Sequence, residues 1–222
     1  MTEKIAPKVA LVTGASRGLG CAMAEQLALR GWHVVAVART VGGLEDLDDR
    51  VKRAGLPGAG ALTLAPMDVT NDDAMRHLCR SVHDRWGGLG LWVHAAVHAA
   101  PLAPAGALDQ KDWEKSIATN TRATGMLIPM LEPLLRARDG MALFFDDPRA
   151  GKPFFGAYGA TKAAQIALAT SWQAETAKHG PRVRIATPAG MATATRARFF
   201  PGEKRTALAD PQAEAARILD GL

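Results

Sequence analysis

Residues 8–20 read "KVALVTGASRGLG", and the architecture of the chain can be worked out from them outward. The first part, "KVALVT" (8–13), is apolar on successive residues instead of alternating, as in a strand covered on both faces. It runs directly into "TGASRGLG", Thr13 to Gly20, with Gly14, Gly18 and Gly20 in the order Gly-x-x-x-Gly-x-Gly. Glycines at these places allow a tight turn, close backbone approach and close packing of a helix on the strand. A helix that starts inside the motif offers free amide groups and the positive end of its dipole, which suits a pyrophosphate. The spacing differs from the commoner Gly-x-Gly-x-x-Gly, and it is the position between a first strand and a first helix that makes it specific. Gly14, Ser16, Arg17, Gly18, Leu19 and Gly20 are therefore candidate dinucleotide contacts.

The same alternation continues downstream. Apolar runs at 33–38, 61–66, 91–96, 141–145 and 182–187 read as strands, making six with 8–13. Helical segments near 18–30, 43–54, 72–86, 110–136 and 156–179 lie between them, and 211–220 is a last candidate helix. Strand–helix alternation implies right-handed βαβ units, hence an α/β, Rossmann-type, doubly wound parallel sheet with helices on both faces. The glycine and proline clusters at 55–60 and 101–106 read as loops. No repeat or domain-sized linker interrupts the 222 residues, so one dinucleotide-binding domain is expected over 1–222, with 188–210 as a substrate-side loop.

Composition excludes several function classes. No apolar run approaches the ~20 residues of a membrane span, and "MTEKIAPKVALVTGAS" has too short an apolar stretch for a signal peptide. Two cysteines, Cys21 and Cys79, give neither a disulfide framework nor a metal-ligand set, and fit a reducing cytoplasm. The net charge of +5 could suggest a nucleic-acid partner, but Lys and Arg are scattered and not interleaved with aromatics. A pocket for a phosphorylated small molecule would use the same charges.

The second strand ends "VVAVART", where an NAD-preferring fold usually carries an acid for the ribose 2′-hydroxyl. Here Arg39 stands at that point and Arg17 lies in the glycine loop. Two guanidinium groups suit a 2′-phosphate, so NADP(H) is expected over NAD(H).

Farther along, "FFGAYGATKAA" (154–164) holds the single tyrosine, Tyr158, four residues before Lys162. That spacing puts both on one helix face. A free phenol titrates near 10, and a neighbouring cation lowers it, so the pair could exchange a proton with a substrate oxygen. With the glycine loop and this pair together, the chain resembles the short-chain dehydrogenase/reductase family from Lys8 to about Thr195. "MDV" with Asp68 and Val69 resembles its adenine-contacting site, and "TNTRAT" places Asn120 where the family has a catalytic asparagine. "YGATK" resembles its Tyr-x-x-x-Lys, and "PAGMAT" (188–193), beginning at Pro188, its nicotinamide-contacting stretch. The resemblance implies that Tyr158 acts as proton donor, that Lys162 also binds the nicotinamide ribose, and that Asn120 holds a water in a proton relay. It also implies a small-molecule carbonyl or alcohol substrate, and a homodimer built on the helices at 110–136 and 156–179.

Three departures from that pattern set expectations of their own. The family's serine, 12 or 13 residues before the tyrosine, falls on Phe145 or Asp146. Asp146 is therefore the candidate for its place: it either points away from the tyrosine, pairs with a base such as Arg149, or is held protonated as a hydrogen-bond donor. The family's Asn-Ala-Gly after the fourth strand reads Ala95-Ala96-Val97, leaving Ala95 as the cofactor contact and Val97 where glycine gives room. The sequence also ends without the last strand that usually closes such sheets. An alternative is thus a catalytically impaired protein that keeps the fold as a nucleotide-binding or interaction module. His94 reads as a hydrogen-bonded core residue and His98 as one that could face the cleft.

Overall fold

Strand β1 (Val9–Thr13) has no polar face, and it lies inside a fully parallel six-stranded sheet of order β3-β2-β1-β4-β5-β6. The others are β2 (His33–Ala38), β3 (Leu62–Pro66), β4 (Leu91–His94), β5 (Met141–Phe145) and β6 (Arg182–Ala186). The computed structural model describes residues 8–222. The sequence-based reading of the N-terminal stretch falls partly on residues 1–7, outside the described residues.

Alternate residues of each strand feed two separate cores. Val9, Leu11, Val35, Val37, Trp92 and Phe144 pack on one face against α3 (Asp72–Trp86), α5 (Ala123–Arg136) and α6 (Gly156–Glu175). Ala10, Val12, Val34, Ala36, Val93 and Leu143 pack on the other against α1 (Gly18–Leu29), α2 (Val41–Ala54) and α8 (Pro211–Asp220). Burial on both faces is what the unalternating apolar runs predicted. No helix among the described residues is long and apolar enough to cross a membrane.

The differences from expectation are local. The segment expected as one helix over 110–136 is α4 (Gln110–Ser116), a π-helical turn (Ile117–Arg122) and α5, which carries Pro129 and Pro133. Helix α6 stops at Glu175, ahead of Gly180 and Pro181, which do not sustain a helix. Part of 188–210 is helical instead of loop. Thr193 accepts from the Arg196 amide at 3.2 Å and so caps α7 (Ala194–Phe199). Residues 105–107, at the end of one expected loop, form a 3₁₀ turn.

The order places β1 next to β4, the point where successive crossovers change direction. A ligand crevice is expected there beyond the carboxyl ends of the strands.

Candidate active site

At that switch point the glycine loop and the end of β4 come into backbone contact. A Cβ added to Gly14, which has φ of 83°, would lie 2.7 Å from the Ala95 carbonyl carbon. One added to Gly20 would lie 2.3 Å from the Gly14 oxygen. Neither position tolerates a side chain, and the turn between strand and helix follows from that. No side chain caps the first turn of α1, whose leading amides have no intrahelical acceptor. Gly14, Ser16, Arg17, Gly18, Leu19 and Gly20 line a cleft of about 400 Å³ that continues past Ala95 to Tyr158 and Lys162.

Arg39, Asp68, Val69 and Pro188 line the same cleft. Arg17 and Arg39 are both exposed, so a phosphate could reach them. Asp68 accepts from the Thr70 amide and hydroxyl, each at 2.9 Å, and its other oxygen lies 3.7 Å from the Arg39 guanidinium. The cradle without room for side chains, the uncapped helix and the two arginines fit a 2′-phosphorylated dinucleotide.

Around Tyr158 the structure departs from expectation. The hydroxyl donates to Asp147 Oδ2 at 3.0 Å, and Arg149 Nε donates to Asp147 Oδ1 at 3.0 Å. So Asp147, not Asp146, meets the tyrosine and pairs with Arg149. The reason lies in the strand end: the Asp146 amide is held by the Ala186 carbonyl of β6 at 2.8 Å, and the chain turns one residue later. Asp146 lines the cleft near both Tyr158 and Lys162.

The titration of the pair also differs. The phenol is pushed well above its ordinary range, first by burial and then by the Asp147 carboxylate that accepts its proton; Arg149 opposes this only in part. The lowering expected from Lys162 is thus not what governs Tyr158. The Lys162 ammonium donates to Gln165 Oε1 at 2.5 Å. Burial drives Lys162 down to about 8, against the pull of Asp147 and Asp146.

Asn120 is fully buried within the π-helical turn. Its side chain exchanges hydrogen bonds with the His98 backbone (2.7 and 2.9 Å) and donates to Thr161 Oγ1 at 2.9 Å. Its backbone carbonyl accepts from Thr124 Oγ1 and Gln165 Nε2, both at 3.0 Å. His98 points to Asp112, 3.2 Å away, and is not among the residues lining the cleft. His94 is a core residue, as expected: its Nδ1 lies 2.7 Å from Thr13 Oγ1 and its Nε2 2.9 Å from Thr124 Oγ1. Its two ring nitrogens thus tie the end of β4 to Thr13 of β1 and to Thr124 of α5.

Beyond Tyr158 the cleft wall is aromatic. Phe155, Tyr158 and Phe199 form a buried cluster with Val97, Leu102 and Phe200 packed against it. Val97 therefore contributes to the apolar wall. Arg149 lies over the Phe155 and Phe200 rings, and Arg196 stacks 4.3 Å over Phe200 while gripping Glu203 with two hydrogen bonds.

A family model described as short chain dehydrogenase matches residues 8–204. The chain belongs to the short-chain dehydrogenase family. It is 28% identical over 181 residues to a fatty acyl-CoA reductase of Acinetobacter baylyi, covering 80% of this chain and 60% of that protein. An uncharacterized oxidoreductase of Listeria innocua is 31% identical over 192 residues, covering 84% of this chain and 75% of that one. A short-chain dehydrogenase structure from Escherichia coli CFT073, complexed with NADPH, superposes with a TM-score of 0.83 at 27% identity, covering 96% of this chain and 88% of that one. The chain thus spans less than two thirds of the Acinetobacter reductase.

Two residues that contact Tyr158 and Lys162 escaped the sequence reading. Asp147 has no periodic relation to Tyr158, because a turn joins them. Gln165 lies three residues after Lys162 on the same helix, and that i,i+3 spacing could have identified it.

Proposed function

We propose that this chain is an NADP(H)-dependent oxidoreductase that reduces a carbonyl on a small apolar substrate, with Tyr158 as the acid. The observation that carries the reading is that Tyr158 and Lys162 line the same cleft as the glycine loop, Arg17 and Arg39. NADP(H), when bound, supplies or takes up the hydride. Gly14, Gly18 and Gly20 would let the backbone approach the pyrophosphate, with Ser16, Leu19, Ala95 and Pro188 along its length. Asp68 and Val69 would meet the adenine end, and Arg17 and Arg39 the 2′-phosphate. Tyr158 is held protonated by burial and by Asp147, so it carries a proton that it can pass to a substrate oxygen once that oxygen replaces Asp147 as the acceptor of the hydroxyl. Lys162 adds positive charge to the same cleft, Asn120 fixes the His98 backbone through paired hydrogen bonds, and Asp146 takes the family's serine position, with Asp147 next to it as the acceptor of the tyrosine hydroxyl. Residues 188–210 form the substrate side, with Phe199 and Phe200 giving it apolar character.

We further infer a homodimer. Ile117, Met126 and Leu168, on the helices beside the cleft, expose apolar side chains, and light scattering that reports a monomer at micromolar concentration refutes it. A cytoplasmic location is supported by the two free thiols at Cys21 and Cys79.

The deciding experiment is titration with NADPH and NADH followed by a carbonyl panel. A charged hydrogen bond contributes about 1.5–3 kcal/mol, so NADPH should bind at least tenfold tighter and Arg39→Ala should remove most of that preference. Equal affinities in the parent protein overturn the cofactor reading.

A further inference from the structure

We propose that Gln165 is the positioning residue of the Lys162 ammonium: its side-chain amide bridges that ammonium to the Asn120 carbonyl and fixes where the charge sits in the cleft. The inference rests on the reading of Lys162 as part of the reaction site. Gln165 is completely buried on α6, one turn beyond Lys162. Its Oε1 accepts from the Lys162 ammonium at 2.5 Å, while its Nε2 donates to the Asn120 carbonyl and to Thr124 Oγ1, both at 3.0 Å. This leaves one orientation of the amide. Flipping it would set NH₂ against an ammonium and a carbonyl oxygen against the Asn120 carbonyl.

The bridge is itself anchored. The Thr124 hydroxyl donates to the Asn120 carbonyl at 3.0 Å, so its lone pairs receive Gln165 and, 2.9 Å away, His94 Nε2. His94 then carries its proton on Nε2 and accepts from Thr13 at Nδ1, which matches a ring that burial keeps neutral. A closed chain of polar groups thus runs from Lys162 through Gln165, Thr124 and His94 to Thr13, the residue before the glycine loop. The π-helical turn holds Asn120 where its carbonyl takes two side-chain donors, a local departure of the kind found at functional sites. With one ammonium proton directed at Gln165, the others are left for the cleft.

The charged or titratable groups around Lys162 are Asp146 and Asp147 after β5, His94 on β4 and Tyr158 on its own helix. Gln165 is the neutral group among them that touches the ammonium, so replacing it should move the lysine's titration. The test is carbon-13 NMR titration of labelled lysine side chains, with the Lys162 signal identified by its loss in Lys162→Met. Gln165→Glu should raise the Lys162 midpoint by at least about one pH unit, and Gln165→Met should lower it by about half a unit or more. Gln165→Met should also weaken NADPH binding several-fold without changing the NADPH-to-NADH ratio. A midpoint that stays in place in both variants, with only thermal stability altered, overturns the proposal. If one variant does not fold, the other decides alone. Failure of the parent protein to bind NADPH counts against the proposed function, while the lysine titration still judges Gln165.

Discussion

Replacing Asp147 with asparagine should make Tyr158 a markedly stronger acid. The phenol donates to Asp147 Oδ2 at 3.0 Å, so ionising it would set two negative charges about 4 Å apart. At an effective dielectric near 20 that repulsion is about 4 kcal/mol, or about three pKa units. Arg149 holds the other carboxylate oxygen at 3.0 Å, and both side chains are roughly a third exposed. Cation and solvent together leave a net effect of about one to two units. Asparagine keeps an oxygen that can accept the phenol proton, so the local fold should persist. Tyr158 is the single tyrosine of the chain, which makes the assay direct. The rise of phenolate absorbance after a rapid alkaline pH jump, read before unfolding, reports this hydroxyl alone. The parent midpoint should lie above the ~10 of a free phenol, and Asp147→Asn should bring it down by about one to two units. Identical midpoints, or a higher one in the variant, would refute the assignment of Asp147 as the group acting on Tyr158.

The buried histidine gives a prediction on stability. His94 titrates at about 3 in the folded protein, against 6.5 as its ordinary value. Below pH 6.5 the unfolded chain takes up a proton that the folded one refuses. Stability from this group is therefore full above 6.5 and declines as pH falls toward 3, by at most about 1.4 kcal/mol per pH unit. Urea unfolding of the parent and His94→Gln across that window should show the shallower decline in the variant, and parallel profiles contradict it. Gly20→Ala should cost several kcal/mol and abolish dinucleotide binding, because the new methyl would lie 2.3 Å from the Gly14 oxygen and 2.9 Å from the Ala95 Cβ. A variant with unchanged melting temperature and NADPH affinity contradicts the steric account.

Most of the fold was legible because the strands are apolar at consecutive positions and glycines sit where the first strand meets the first helix. Those signals are local, and so are the caps that end the helices. What escaped was set by contacts distant in sequence. The π-helical turn around Asn120 is held through Gln165 and His98, 45 and 22 residues away, and nothing in "IATNTR" marks it. The spacing that pointed to Asp146 counted residues along the chain. The hydroxyl instead meets Asp147 because β6 holds the Asp146 amide and the turn places the next residue over the tyrosine. Likewise, sharing a helix face with Tyr158 did not make Lys162 the dominant influence on it, since burial outweighs a cation that points to Gln165.

The role proposed for Tyr158, proton donor of an NADPH-dependent carbonyl reduction, rests on a single hydroxyl. Tyr158→Phe removes one hydroxyl and keeps the ring packed against Phe155 and Phe199. Measured on a substrate the parent protein reduces, the variant should lose turnover by about 10²-fold or more, while NADPH affinity stays within about twofold of the parent. Turnover that survives in Tyr158→Phe, with NADPH still bound, would contradict the account.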